Sequence, residues 1–115
     1  MSATKPKITQ DPLYQLLREE KIKDFNERRA KNEKCELAGH DFRGLDLRNL
    51  NADGLDLSDC YFRMTDLRGI DFRKARLEGA SFASANISGC YFPKELRAEE
   101  ILLSVTHGTR VRYNS

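Results

Sequence analysis

The 115-residue chain has no tryptophan, three prolines and no apolar run longer than three residues. Runs this short exclude a transmembrane helix, which needs about 20 consecutive apolar residues. The first residues, Met1–Lys5, precede no apolar stretch, and we therefore expect no secretory signal. The three cysteines are odd in number and widely spaced, which argues against a disulfide framework and favours a reducing, cytoplasmic compartment.

The chain also lacks a large excess of positive or negative charge, because 20 Lys and Arg offset 18 Asp and Glu and leave a net charge of +2. A balance this close to neutral argues against a strongly basic nucleic-acid binder and against a strongly acidic mimic of nucleic acid. Hydrophobic residues make up 39% of the chain and charged residues 33%, so the core is small and the surface is rich in charge. The length is that of one domain.

An apolar or small residue recurs at every fifth position between residues 35 and 93. The central column of this repeat is Leu37, Phe42, Leu47, Ala52, Leu57, Phe62, Leu67, Phe72, Leu77, Phe82, Ile87 and Phe92. A period of five matches neither the helix nor the strand. A chain that turns a corner every five residues does match it, because Gly, Asp, Asn and Ser are frequent between the apolar centres. Four corners close a coil of 20 residues, so these twelve units predict three coils.

Two of the units read Leu45-Asp46-Leu47-Arg48-Asn49 and Ile70-Asp71-Phe72-Arg73-Lys74. This pattern resembles the pentapeptide-repeat family, whose consensus is close to A-[DN]-[LF]-x-x. The resemblance implies an all-β solenoid, a right-handed quadrilateral β-helix of about three coils over 35–93, in a small protein of bacterial type. Residues 20 apart then share a column, so we expect Phe42, Phe62 and Phe82 to stack on one another.

The flanks of the repeat are predicted to close its two ends, since a short solenoid exposes an apolar cross-section at each end. We expect residues 1–10 to form a disordered tail. Residues 11–34 are predicted to form one amphipathic helix, with Asp11 as N-cap and Pro12 at the first helical position. Residues 94–115 are predicted to form a capping helix, over 94–104, and a tail that alternates like a short strand.

Side chains that point away from the repeat, or lie on the first helix, are the candidate partner-binding residues. They are Arg43, Arg48, Arg63 and Arg68 on the repeat, and Leu13, Tyr14, Leu17 and Phe25 on the helix. The alternative interpretation of the arginines is a solvated surface with ion pairs between coils, each worth about 0–1 kcal/mol. The helix is longer than a cap requires, at about 34 Å, which leaves open a homodimer or docking to another protein.

The histidines and cysteines do not form a metal-binding pattern. His40 and Cys60 would stack in adjacent coils, yet no third ligand accompanies them, and we expect small residues in a packed interior. His40 is expected to hydrogen-bond a residue of the cap. No nucleophile with a neighbouring base and no phosphate-binding loop is readable from the spacing, so we predict neither an enzyme nor a cofactor site.

The predicted function is a non-enzymatic interaction module that binds another protein. A first alternative comes from the quinolone-resistance members of the family, which imitate duplex DNA and bind gyrase. Three coils and a repeat charge of −2, from seven Lys/Arg and nine Asp/Glu over 35–93, argue against it. A second alternative is an adaptor whose basic stretch, Lys21–Lys34, docks on an anionic membrane or nucleic acid. Acidic residues within that stretch favour a solvated helix instead.

Overall fold

The computed structural model describes residues 5–114, and its backbone turns every five residues between residues 38 and 89. Parallel β-bridges join residues that are 20 positions apart, so each coil lies directly against the next. These bridges are Asp41–Tyr61, Asp46–Asp66, Asp56–Arg76, Tyr61–Ser81, Asp66–Asn86 and Asp71–Tyr91. The bridges are isolated ones, and no longer strand forms within residues 5–114. The predicted register of 20 residues per coil is therefore the register of the backbone.

Each corner is a β-turn closed by a hydrogen bond from the residue that follows the turn. Leu45 N–H, for example, donates to Phe42 O at 3.2 Å. The third residue of ten of the eleven turns has a positive φ, as in a type II turn, and six of these ten residues are glycines. Gly79 has a second reason to lack a side chain, because a Cβ there would lie 2.0 Å from Oδ1 of Asp59. The corners thus explain why glycine recurs in the repeat.

The side chains of the central column fill the interior of the coils. Phe42 stacks on Phe62 and Phe62 on Phe82, each pair with ring centroids 5.3 Å apart. All three rings are completely buried. The predicted phenylalanine column is confirmed, and it carries the core from one coil to the next.

The N-terminal flank contains two helices, α1 (Pro12–Arg18) and α2 (Ile22–Ala30), so the prediction of one helix over 11–34 is wrong. The chain leaves α1 in a Schellman motif, where Glu20 N–H donates to Leu17 O and Lys21 N–H donates to Leu16 O. Glu20 takes the left-handed conformation that this motif requires, with φ of 60°. The break lets both helices lie across the first coil instead of projecting beyond it.

The prediction of a disordered tail over 1–10 is wrong where the structure describes it, and residues 1–4 lie outside the described residues. Lys7 forms a parallel bridge with His40, through Lys7 N–H to Gly39 O and Asp41 N–H to Lys7 O, both at 2.9 Å. Thr9 Oγ1 lies 2.7 Å from His40 Nε2. The partner of His40 is therefore Thr9 of this N-terminal segment, which lies outside the helix predicted to cap the first coil.

The C-terminal flank begins with α3 (Ala98–His107), which ends at Gly108 in the left-handed conformation. It starts four residues later than the predicted helix, and none of the three helices within residues 5–114 is long and apolar enough to cross a membrane. Ile101 is buried against the last coil, whereas the next residue, Leu102, is 62% exposed. Arg110 then forms one isolated antiparallel bridge with Ser81, and no strand forms at residues 109–114, where the alternating pattern predicts a short one.

Candidate partner-binding face

The side of the solenoid between residues 43 and 49 in the first coil repeats at 63–69 and 83–89, and we call it the arginine face. Its middle column is Asp46, Asp66 and Asn86, which the parallel bridges hold in line. The turns on either side of that column carry the four predicted arginines. Arg43 and Arg63 lie at one edge of the face, and Arg48 and Arg68 at the other. The structure thus brings the four arginines of the sequence prediction onto one surface.

Each acid in the middle column is tied to the arginine two residues later. Asp66 Oδ1 accepts from the backbone N–H of Arg68 at 3.2 Å and from its Nε at 2.9 Å, while Oδ2 accepts from Nη2 at 2.7 Å. Asp46 holds Arg48 with the same geometry, at 3.1, 3.0 and 2.8 Å. The backbone contact fixes the carboxylate and the bidentate contact fixes the guanidinium, so this edge of the face is rigid.

One ion pair crosses from coil to coil on the same face. Nε of Arg48 lies 3.5 Å from Oδ2 of Asp66, which therefore contacts two guanidinium groups. The hydrogen bonds from Arg68 lower the pKa of Asp66 to about 2, and those from Arg48 lower the pKa of Asp46. Both acids are ionised at neutral pH, and both are balanced by arginines.

At the other edge of the face, carboxylates balance the charge of the arginines less fully. The Arg43 side chain is 64% exposed and its Nη2 lies 3.7 Å from the buried carboxylate of Asp41. Arg63 is exposed, and within residues 5–114 it has no carboxylate within 4.0 Å. Coil spacing places these two arginines about 4.8 Å apart along the solenoid. This edge presents two cations that are open to an incoming anionic group.

The four apolar candidates are not available to a partner. Leu13 is 1% exposed, and Tyr14, Leu17 and Phe25 are completely buried. The expectation that they contribute to a partner surface is therefore wrong for the folded chain. They cover the open end of the first coil, where the Tyr14 ring meets Phe42 edge-on at 5.5 Å between ring centroids.

The cysteines lie in the interior column or beside it, and none pairs with another. Cys60 Sγ donates to Leu37 O at 2.9 Å, and burial raises its pKa to about 12. Cys90 makes the equivalent contact with Leu67 O at 2.9 Å. Within residues 5–114, no three His, Cys, Asp or Glu side chains converge as metal ligands would.

Sequence reasoning missed two polar side chains that close the N-terminal end of the arginine face. Glu20 Oε2 accepts from Asp46 N–H at 2.6 Å. Asn26 Nδ2 donates to Asn49 O at 2.9 Å, and its Oδ1 accepts from Asn51 N–H at 3.0 Å. Each side chain occupies the place that a preceding coil would otherwise fill. No local pattern marks these residues, because their role depends on how α1 and α2 fold back.

The sequence model of the pentapeptide repeat family matches residues 33–63 and 60–93, with eight copies of the repeat. The match covers more than half of the chain, and the chain belongs to this family. Members of the family are generally non-enzymatic structural or interaction modules. No curated protein and no solved structure matches the chain significantly.

Proposed function

We propose that this chain is a non-enzymatic protein-interaction module that binds a partner protein through the arginine face. We further propose that its coils form a right-handed quadrilateral β-helix of three turns. One corner every five residues and parallel bridges between residues 20 apart support that architecture. A frame of this kind holds the backbone of the outward residues in fixed columns, so no backbone segment has to be ordered when a partner binds.

The observation that carries the proposal is the unequal compensation of the two edges of the face. Asp46 and Asp66 hold Arg48 and Arg68 in bidentate pairs, whereas Arg43 and Arg63 keep exposed guanidinium groups. Guanidinium groups bind carboxylates bidentately and with defined geometry. The partner we expect therefore offers acidic side chains to the Arg43 and Arg63 edge.

The same contacts count against the two alternatives raised by the sequence. A DNA mimic needs uncompensated negative charge, but both acids of the arginine face are paired with arginines. A basic helix that docks on anionic surfaces needs free cations. Within residues 5–114, two of the six cations of this stretch are paired with acids, Arg28 with Glu33 and Lys21 with Glu19 at 3.1 Å, which weakens this alternative although Lys23, Arg29, Lys31 and Lys34 have no such partner. The three unpaired cysteines support placing the protein in a reducing compartment, and we propose the cytoplasm.

The test is charge reversal at the open edge, with Arg43→Glu and Arg63→Glu combined in one variant. The matched control reverses two exposed cations elsewhere on the repeat, Lys74→Glu and Arg76→Glu. Tagged proteins are used to capture partners from a lysate of the source cell, and the captured protein is quantified by mass spectrometry. We expect the first variant to lose at least about tenfold of the captured partner, while the control retains it.

Equal capture by the first variant and the wild type would contradict the proposal. Thermal melts followed by circular dichroism verify that both variants are folded. Light scattering on the wild-type protein addresses the homodimer, because a partner that is a second copy of this chain doubles the measured mass. A mass that falls to that of the monomer in the Arg43 and Arg63 variant would identify the partner as this chain itself.

A further inference from the structure

The arginine face ends in an unpaired backbone edge at the last coil. In the coils below, Asp66 N–H donates to Leu45 O and Asn86 N–H donates to Thr65 O, at 2.9 and 3.0 Å. The next members of that series are Ala85 O, Ile87 N–H and Gly89 N–H. Within residues 5–114 none of these three groups has a hydrogen-bond partner. They form a row with an acceptor first and two donors after it.

The other half of the same end is already closed by the C-terminal tail. Val111 N–H donates to Ala80 O at 2.9 Å and Val111 O accepts from Gly79 N–H at 2.8 Å, so an extended segment lies on that side. Tyr113 Oη, further along the tail, accepts from Leu77 N–H at 2.8 Å. The last coil therefore accepts an added strand on one half and leaves the opposite half without one.

Helix α3 separates the two halves. Its Ser104 Oγ accepts from Phe82 N–H at 2.8 Å, and Val105 O accepts from Ser84 N–H at 3.0 Å, which places the C-terminal end of α3 at one corner. Glu100 pairs with Arg112 of the tail at 2.7 Å. Leu102 follows Glu100 by two residues, about 200° around the helix, so it lies on the opposite flank. By this geometry it lies on the flank of α3 towards the open half, and it is 62% exposed.

The open half also exposes part of the interior column. Ile87 and Phe92 are only partly buried, although the residues below them in their columns, Leu67 and Phe72, are completely buried. An added strand in the register of the coils would place an apolar side chain directly above Ile87 and beside Leu102. It would place a polar side chain above Asn86, at the end of the middle column of the arginine face.

We propose that this edge binds an extended peptide segment of the partner protein by parallel strand addition. The segment carries a small, a polar and a large apolar residue in that order, above Ala85, Asn86 and Ile87. Its polar residue donates its N–H to Ala85 O and accepts from Ile87 N–H, and two residues further on a carbonyl accepts from Gly89 N–H. Backbone hydrogen bonds give such a complex its register, and the apolar residue gives it specificity.

The stacking rules within this protein define the occupant. In the column that ends at Ile87 every residue is large and apolar, and in the column that ends at Asn86 every residue is Asp or Asn. A segment that resembles one more repeat satisfies both columns and all three backbone groups. This proposal rests on the interaction role proposed above, but it depends on backbone groups and Leu102 rather than on Arg43 and Arg63.

The probe is a synthetic peptide with the sequence of residues 63–70, which lies in this register on residues 43–50 within the folded chain, where Asp66 N–H donates to Leu45 O and Asp66 O accepts from Leu47 N–H. The full chain, labelled with nitrogen-15, is titrated with the peptide and followed by NMR. We expect shifts concentrated at the Ile87 and Gly89 amides, and slower hydrogen exchange at both. The control peptide carries an N-methyl group at the position of Asp66, which removes the donor to Ala85 O, and it should not bind.

Leu102→Lys places a charge over the edge without disturbing a buried residue, and it should weaken the peptide about tenfold. Leu103→Lys, on the solvent side of α3, is the matched control and should bind as the wild type does. Equal binding of the methylated peptide, or shifts that avoid Ile87 and Gly89, would overturn the proposal. A wild-type dimer that Leu102→Lys dissociates would also overturn it, because a second copy would then cover the edge.

The two proposals fail separately in this design. The Arg43→Glu and Arg63→Glu variant should bind the peptide normally, since neither side chain contacts the edge. If that variant loses partner capture and neither the wild type nor any variant binds the peptide, only the strand-addition proposal is refuted. Normal peptide binding together with unchanged partner capture would remove the arginine-face proposal alone.

Discussion

Phe62 lies in the middle of the phenylalanine column and contacts a ring on each side, at 5.3 Å to Phe42 and 5.3 Å to Phe82. It is completely buried, so Phe62→Ala removes its transfer free energy and leaves a cavity inside the second coil. Buried Phe→Ala substitutions cost about 3–5 kcal/mol, and we expect this one near the upper end, because two ring contacts are lost. For a domain of this size the melting temperature should fall by about 10–20 °C.

The matched control is Phe92→Ala at the open end of the neighbouring column. Phe92 stacks on Phe72 at 5.7 Å between ring centroids, but it is only partly buried. Its substitution should cost about 1–2 kcal/mol, since water already reaches part of the ring. The chain has no tryptophan, so urea unfolding is followed by circular dichroism and tyrosine fluorescence. Equal losses for the two variants would refute the argument that stacking between coils forms the core.

Three further substitutions or reactions test other parts of the structure. Gly79→Ala should destabilise the chain more than Gly69→Ala in thermal melts. Both residues have a positive φ, but only the Cβ added at residue 79 would meet another atom, Oδ1 of Asp59. Similar losses of stability in the two variants would contradict this. Asp66→Asn should lower the melting temperature at pH 6. Its effect should shrink below about pH 4, because the pKa of about 2 in the folded state lies below the unfolded value and the contribution of the carboxylate is lost as pH falls towards 2. In the folded chain Cys60 should resist a thiol reagent at pH 8 and react only after unfolding, since burial raises its pKa to about 12; rapid reaction of all three thiols would contradict its placement.

The part of the fold that follows a strict period was accessible from the sequence. Phe42, Phe62 and Phe82 recur at intervals of 20, and one column of equivalent positions follows from that spacing alone. The corners follow from it too, because Gly44 and Asn49 are residues that tolerate a positive φ. A repeat of this kind predicts its own packing, since each unit contacts only the next coil.

The flanks were less accessible, because their structure depends on what they cover. The break between α1 and α2 occurs at Glu20, which takes the left-handed conformation although glycine is the usual residue there. The pairing of Lys7 with His40 is a single bridge and leaves no periodic signal. The burial of Tyr14 follows from the open end of the first coil, and a helix considered alone offers no sign of which face that end will cover.

The candidate site, like the fold, could be predicted where it follows the repeat and could not be predicted elsewhere. Arg43, Arg48, Arg63 and Arg68 fall on one face because the 20-residue period aligns them. Only the structure shows that carboxylates balance these arginines unequally. Arg48 is engaged by Asp46 and Asp66, whereas Arg63 has no acidic residue two positions before it and none in the neighbouring coil. The unpaired edge at Ile87 also required coordinates, since it depends on the path of α3 across the last coil.

The measurement that tests the 20-residue register most directly is a set of nuclear Overhauser effects between the ring protons of selectively labelled phenylalanines. The stacked coils predict contacts between Phe42 and Phe62 and between Phe62 and Phe82, with none between Phe42 and Phe82. They also predict a contact between Phe72 and Phe92, whose ring centroids are 5.7 Å apart. Absence of the Phe42–Phe62 and Phe62–Phe82 contacts in the folded protein would contradict the register, and with it the arginine face that the register aligns.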